Sequence, residues 1–260
     1  MKMALSAALY NLDGKVVGEV KLPPVFELPV RPDLIQRAFL AAFTARLQPQ
    51  GRDLMAGKRT TAESWGVGHG VARVPRVKGG RRAALAPMTV GGRRAHPPRV
   101  EKVVEERINV KERRLAIASA IAATADRRWV EARGHRVGEG LSLPIVVVDD
   151  LESLSTAVEA RAFLKRLGLW EDVERAKEGI KVRPGRGKMR GRRYREPKSL
   201  LIVVGQDRGV KRAFENFTGV DVALAKSLSI MRLAPGGVPG RLTIYTQSAL
   251  KQLEAARSFT

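Results

Sequence analysis

The sequence contains no cysteine, which excludes disulfide bonds, thiolate nucleophiles and cysteine-based zinc sites. Histidine is scarce too, because the chain has only three: His69, His96 and His135. They lie too far apart in sequence to form a local metal-binding motif. We therefore expect no metal site, and nothing in the sequence indicates a cofactor.

Long hydrophobic runs are also missing, since no apolar stretch reaches the roughly 18 residues of a membrane-spanning helix. The N-terminal segment lacks the charged, apolar and small-residue regions of a secretory signal. These absences predict a cytoplasmic protein without membrane contact. With 260 residues, 44% of them hydrophobic, the chain is able to bury one core of ordinary size.

Acidic residues are few. The chain has 26 Asp and Glu and 48 Lys and Arg, which gives a formal net charge of +22. The excess is local: residues 52–99 hold eleven basic residues against two acids, and residues 181–198 hold nine against one. So large a positive charge predicts a polyanionic partner, with nucleic acid as the leading candidate.

The first basic window is also rich in glycine, and no acid occurs between Ser64 and Val100. Its glycines interrupt every candidate helix or strand. We predict a long, extended basic loop over residues 52–100 that orders when phosphates neutralise it, and a second basic surface loop over residues 181–198. A basic solvated linker is the alternative reading of the first window.

The remaining sequence predicts an α/β fold. Buried strands are indicated at Leu143–Val148 and Leu200–Val204, which are short apolar runs rich in β-branched residues. Helical patterns follow both strands, and further helices are predicted from Pro32 and from a capping box at Asn109 and Glu112. Residues 1–260 are expected to form one domain, a three-layer sandwich around a mainly parallel sheet, with the long loop inserted in it.

Candidate catalytic residues are sparse. Asp149, Asp150 and Asp207 follow predicted strands, where ligands often bind in open α/β sheets, but no glycine-rich nucleotide motif accompanies them. Asp149 and Asp150 suit a cap of the next helix or a turn better than a magnesium site in a nuclease. His135 has no nucleophilic partner at a recognisable spacing, so we interpret it as a surface or RNA-facing residue. Trp65 suits either base stacking or anchoring in a core.

Four sequence blocks carry a family resemblance: AGKRTTAESWG from Ala56, ARVPRVKGG from Ala72, GGRRAHPP from Gly91, and RGH at residues 133–135. With these blocks, and with LAPGG from Leu233, the chain resembles the archaeal and eukaryotic branch of the universal fourth protein of the large ribosomal subunit. The resemblance covers essentially the full length.

The resemblance implies an α/β domain on the outside of the large subunit, whose long loop enters the ribosomal RNA and reaches the wall of the peptide exit tunnel. The implied partners are large-subunit ribosomal RNA and neighbouring ribosomal proteins, with no small-molecule substrate and no catalytic residue. Two other interpretations are a basic chromatin or architectural DNA-binding protein, and a nuclease or RNA-modifying enzyme that uses the acids at the strand ends. The residues expected to bind RNA are Arg52, Lys58, Arg59, Trp65, His69, Arg73, Arg76, Lys78, Arg81, Arg82, Arg93, Arg94, His96, Arg99, Arg133, His135, Arg183, Arg186, Lys188, Arg190, Arg192, Arg193 and Arg195.

Overall fold

A computed structural model describes residues 5–138 and 140–255. The chain divides into two compact units. The first, here called the α/β unit, comprises Met1–Phe43 with Glu106–Thr260; the second, the basic-loop unit, comprises Thr44–Glu105. Within the described residues, no helix is long and apolar enough to cross a membrane.

The α/β unit is built on a six-stranded sheet, ordered β2-β1-β5-β10-β8-β9. Every neighbouring pair is parallel except β1 and β2, which form an antiparallel hairpin. The predicted mainly parallel sheet is therefore confirmed. In chain order the strands are β1 Ser6–Tyr10, β2 Val16–Lys21, β3 Ala62–Glu63, β4 Arg76–Val77, β5 Ile145–Val147, β6 Lys181–Val182, β7 Tyr194–Arg195, β8 Leu201–Val204, β9 Asp221–Leu224 and β10 Thr243–Thr246.

Helices alternate with the strands, as the apolar periodicity predicts. Pro32 opens α1, where its missing N–H costs no hydrogen bond. Asn109 precedes α2 but its side chain makes no capping hydrogen bond, so the predicted capping box was wrong. The helices are α1 Pro32–Thr44, α2 Val110–Ala122, α3 Arg127–Ala132, α4 Ala157–Arg166, α5 Trp170–Glu178, α6 Val210–Phe214, α7 Ile230–Leu233 and α8 Gln247–Ala255.

Both faces of the sheet are buried. Successive strand residues point to opposite sides, so the strands contribute side chains to two separate apolar clusters. One apolar cluster takes Val146, Val203 and Tyr245 from the strands and packs them against α1, α2 and α8. The other takes Ile145 and Ile202 and packs them against α4, α5 and α6. Helices therefore cover both faces, which gives the three layers that the sequence predicts.

The second basic window also has regular structure, which the sequence did not predict. Strands β6 and β7 pair antiparallel, and a single 3-10 turn at Arg186–Arg190 lies between them. We call residues 181–195 the basic hairpin. It follows α5 and precedes the buried strand β8, the position that the sequence indicated.

Candidate nucleic-acid interface

The basic-loop unit is held together by its own backbone. The Arg52 N–H donates to the Pro98 carbonyl at 3.1 Å, which joins the two ends of the segment. Farther in, Gly57 packs against Gly92 so closely that a Cβ on Gly57 would lie 2.5 Å from the Gly92 oxygen. The φ of Gly57 is +78°, so a larger residue there is disfavoured by both space and conformation. Glycine at this position lets two backbone segments meet.

An aromatic and cationic cluster forms on this unit around Trp65. The His69 ring lies 5.7 Å from the Trp65 ring, and the Arg76 guanidinium lies 5.6 Å from it. Trp65 remains 39% exposed, so it is not a core anchor. Three residues predicted as RNA-binding are thus brought together around an indole ring that is open to a stacking partner.

A second group of predicted residues lines a small cavity of ≈110 Å³ in the same unit. Arg59 forms an ion pair with Asp53, the one acid in the lining, and its hydrogen bond holds the pKa of Asp53 below the usual value. Such a surplus of cations suits an anion of phosphate size. The basic residues of the lining are Arg52, Lys58, Arg93, Arg94 and Arg99.

The other cations of this unit differ in solvent exposure and in the hydrogen bonds they make. Arg76 is partly buried and donates to the Ala72 carbonyl at 3.3 Å and to the Arg81 carbonyl, so its guanidinium shapes the local turn. The remaining predicted cations and the second histidine are exposed to solvent and available to a partner. These are Arg73, Lys78, Arg81, Arg82 and His96.

On the basic hairpin, Arg183 has an internal role. Its Nε donates to the Arg192 carbonyl at 3.1 Å, and Nη2 donates to the Tyr194 carbonyl at 3.4 Å, which ties one strand to the other. The other six predicted cations here are exposed. They are Arg186, Lys188, Arg190, Arg192, Arg193 and Arg195.

His135 is not a surface residue, and the sequence interpretation of it was wrong. Its side chain is 1% exposed, and Nδ1 lies 3.1 and 3.2 Å from the two carboxylate oxygens of Asp172. Nδ1–H is therefore the donor to Asp172, and the nearby Arg175, which has only donors, pairs with the same carboxylate at 2.8 Å. Ser199 Oγ also donates to the Asp172 carboxylate, at 2.7 Å. His135 therefore joins the segment after α3 to α5, and Ser199 joins α5 to the segment before β8.

Arg133 is also committed to the fold. Its guanidinium donates to the carbonyls of Pro235, at 2.6 Å, and of Val238, which fixes the turn after α7. Burial lowers the pKa of Arg133 to about 10, and the charges of Arg241 and Arg175 contribute to the shift. The side chains of Arg133 and His135 therefore stabilise the α/β unit.

Sequence reasoning missed the partners of these residues. Asp172 falls on the apolar side of α5, in step with Leu169, Val173 and Ala176, and all four are buried. An acid at such a position needs a buried cation or several donors. That spacing is the signal that could have predicted a partner such as His135.

A buried carboxylate lies at the carboxyl ends of the parallel strands β8 and β10. Glu152 is buried, and its Oε1 accepts from the Gly205 N–H at 2.7 Å and from Thr246 Oγ1 at 2.9 Å. Ser248 Oγ also donates to it. A Cβ on Gly205 would lie 2.4 Å from the Ser248 hydroxyl oxygen, so this edge is tightly packed. Glu152 therefore binds polar groups at the carboxyl ends of β8 and β10 within the fold.

Two of the three acids that follow the strands serve as helix caps. Asp149 Oδ1 accepts from the Ser248 N–H at the start of α8, at 2.7 Å. Asp207 Oδ1 accepts from Gly209 and Lys211 N–H groups at the start of α6. A capping role is thereby confirmed for Asp149, although the helix it caps is α8 and not the next helix along the chain. The cap that Asp207 provides was not predicted from the sequence. Among residues 5–138 and 140–255, no three His, Cys, Asp or Glu side chains are grouped so as to hold a metal ion.

We expect Asp149→Ala to lower the free energy of unfolding by about 1 kcal/mol, because it removes one of the two side-chain caps of α8, the other being Thr246 Oγ1. Asp150→Ala is the matched control, since Asp150 is an exposed neighbour whose carboxylate caps no helix of the described chain. Urea denaturation of both variants measures the difference. Equal loss of stability in the two variants would contradict the capping role.

Comparison with known proteins decides the family. The sequence model of the ribosomal protein L4/L1 family matches residues 20–256. The chain belongs to this family. Members of the family are structural proteins and not enzymes, which rules out a nuclease or an RNA-modifying enzyme.

Individual relatives place the chain in the archaeal type of this family. The large ribosomal subunit protein uL4 of Methanocaldococcus jannaschii is 56% identical over 250 residues, which cover 96% of this chain and 98% of the relative. The uL4 of Pyrobaculum aerophilum is 54% identical over 255 residues, covering 97% and 90%. The resemblance that the four sequence blocks carry is thereby confirmed, and with it a structural role in the cytoplasmic ribosome.

Proposed function

We propose that the chain binds large-subunit ribosomal RNA through two separate surfaces, the basic-loop unit and the basic hairpin. The observation that supports this most strongly is the exposure of their cations. Apart from Arg76 and Arg183, every predicted lysine and arginine of the two segments is exposed to solvent. Exposed guanidinium groups with few acids nearby are suited to neutralise phosphates.

The two surfaces differ in reach. In the proposed bound state, residues 52–100 are an insertion into a single α/β domain and extend into the RNA interior, toward the wall of the peptide exit tunnel. An extended chain spans roughly 3.3 Å per residue, and half of the loop must serve as the return path. The hairpin must leave and rejoin the α/β unit within fifteen residues, so it contacts only nearby RNA. Neighbouring large-subunit proteins are the other proposed partners.

Deleting residues 66–92 tests the role of the loop. We expect the shortened protein still to enter large subunits through the α/β unit and the hairpin, while nucleotides of the tunnel wall become more reactive to chemical probes. The matched control replaces the same residues with a glycine-serine segment of equal length, which keeps the connection but removes the cations and the apolar groups. The control should show the same reactivity change. Unchanged tunnel nucleotides in both variants would contradict the proposed reach.

A salt wash tests the proposed function as a whole. The native protein should sediment with the large subunit in sucrose gradients and remain bound at high salt, because phosphate contacts buried within RNA exchange slowly with solvent ions. Release of the protein at moderate salt, with the subunit otherwise intact, would contradict the proposal.

A further inference from the structure

The basic hairpin carries an exposed apolar face that its charge does not explain. Val182 and Tyr194 are directly opposite each other in the β6–β7 register, so both side chains lie on the same face of the ribbon. Tyr194 is 55% exposed and Val182 is 52% exposed. The flanking register pair, Lys181 and Arg195, belongs to the other face. An aromatic ring and a β-branched side chain thus form a small platform that is open to solvent.

The platform is held in place before any partner arrives. Arg183 bridges the strands through the carbonyls of Arg192 and Tyr194, and the Arg183 N–H donates to the Arg193 carbonyl at 2.7 Å. The turn is closed by the Arg192 N–H, which donates to the Gly187 carbonyl at 3.1 Å. A Cβ on Gly187 would lie 3.2 Å from Arg183 Cδ, so glycine allows this close packing. The hairpin is therefore not a solvated linker.

The charge around the platform indicates what binds there. Residues 181–195 contain eight Lys or Arg and no acid. The Arg193 guanidinium lies 5.9 Å from the centre of the Tyr194 ring. A protein surface rarely offers enough negative charge to match such density, whereas a nucleotide combines a flat π face with a phosphate. Aromatic rings and guanidinium planes both stack on bases that are not paired.

We propose that Tyr194 is a stacking platform for an unpaired base of large-subunit ribosomal RNA, with Val182 as the apolar support beside it. The inference rests on the ribosomal RNA binding proposed above and names the feature that the hairpin recognises. The surrounding arginines contact phosphates of the same strand. Stacking confers a preference for single-stranded over helical RNA, because the bases of a helix already stack on one another.

The test compares Tyr194→Ala, Tyr194→Leu and Tyr194→Phe in the full-length protein. Filter binding is measured over a range of salt concentrations, with transcribed large-subunit ribosomal RNA fragments, and with a short single-stranded RNA and a duplex of the same sequence. Removal of the ring in the Ala and Leu variants should weaken binding to the ribosomal and single-stranded RNAs by about 10-fold. The slope of log affinity against log salt should stay unchanged, because every arginine that neutralises a phosphate is kept. The Phe variant should bind like the wild type, and duplex binding should not change in any variant.

Three outcomes would overturn the inference. The first is wild-type affinity in both the Ala and Leu variants, with thermal melting curves that match the wild type. The second is a fall in affinity that comes with a reduced salt slope, because Tyr194 would then act on phosphate binding. The third is normal binding to free RNA combined with poor retention in assembled subunits, which would assign the platform to a protein partner. If the wild type itself bound no ribosomal RNA fragment, the proposed function would fail together with this inference.

Discussion

Replacing four exposed arginines of the basic hairpin with glutamine is expected to weaken binding to ribosomal RNA fragments by roughly 10²- to 10³-fold near 0.1 M salt. Each neutralised phosphate releases counterions, so the slope of log affinity against log salt should fall by roughly 0.9 or less for each phosphate that is no longer neutralised. All four side chains are exposed and none has an ion-pair partner among the described residues. They are Arg186, Arg190, Arg192 and Arg193.

The matched control carries lysine at the same four positions. Lysine keeps the charge but loses the planar, bidentate guanidinium, so the salt slope should stay near the wild-type value while the affinity falls only modestly. Filter-binding salt titrations measure both quantities. The glutamine variant should still enter subunits at higher protein concentration, because the loop still anchors it. A wild-type slope in the glutamine variant would show that the hairpin does not contact phosphates.

Replacing Asp172 with alanine is expected to cost about 3–5 kcal/mol of unfolding free energy. The Asp172 side chain is fully buried and accepts hydrogen bonds from His135, Arg175, Ser199 and the Arg136 N–H. Burial alone would raise the pKa of Asp172, but hydrogen bonds from His135, Arg175 and Ser199 outweigh it and lower the pKa. The carboxylate is therefore ionised, and its removal leaves buried donors without an acceptor.

Glu171→Ala is the matched control for this variant. Glu171 precedes Asp172 in the first turn of α5 but is exposed, so its replacement removes only a favourable interaction with the helix dipole. Chemical denaturation should give a small change for Glu171→Ala and a large one for Asp172→Ala. Similar effects in both variants would contradict the role of the buried network.

The same network makes stability depend on pH. Burial lowers the pKa of His135 below its ordinary value, although the hydrogen bond and charge of Asp172 oppose the shift. Within the described part of the chain the buried Nε2 has no hydrogen-bond partner, so protonation would add an N–H at Nε2 with no acceptor. Since the unfolded state binds this proton more readily, the contribution of neutral His135 is complete above about pH 6.5 and is lost as pH falls through the folded pKa. The unfolding free energies of the wild type, Asp172→Ala and Glu171→Ala should therefore be measured by chemical denaturation at both neutral and mildly acidic pH.

The sequence by itself determined the layered fold. Runs such as Leu200–Val204 are short, apolar at every position and rich in β-branched residues, which is typical of a strand covered on both faces. The start of α1 at Pro32 was also predictable from the sequence, because proline is tolerated at the first position of a helix. The two basic windows and the family motifs are also properties of the sequence alone, since net charge and residue spacing do not depend on packing.

Only the tertiary structure decided which polar residues face a partner and which hold the fold. Arg133 and His135 share a motif with a family of ribosomal proteins, yet their side chains meet carbonyl groups and a carboxylate about 40 to 100 residues away in sequence. Burial of a charge is offset by partners that come together only when distant elements pack. Tyr194 is the opposite case, a side chain that faces a partner although composition did not indicate it. Its register with Val182 places the ring on an exposed face of the hairpin. Local patterns fix which surface an element buries, but long-range packing determines what each polar side chain bonds to.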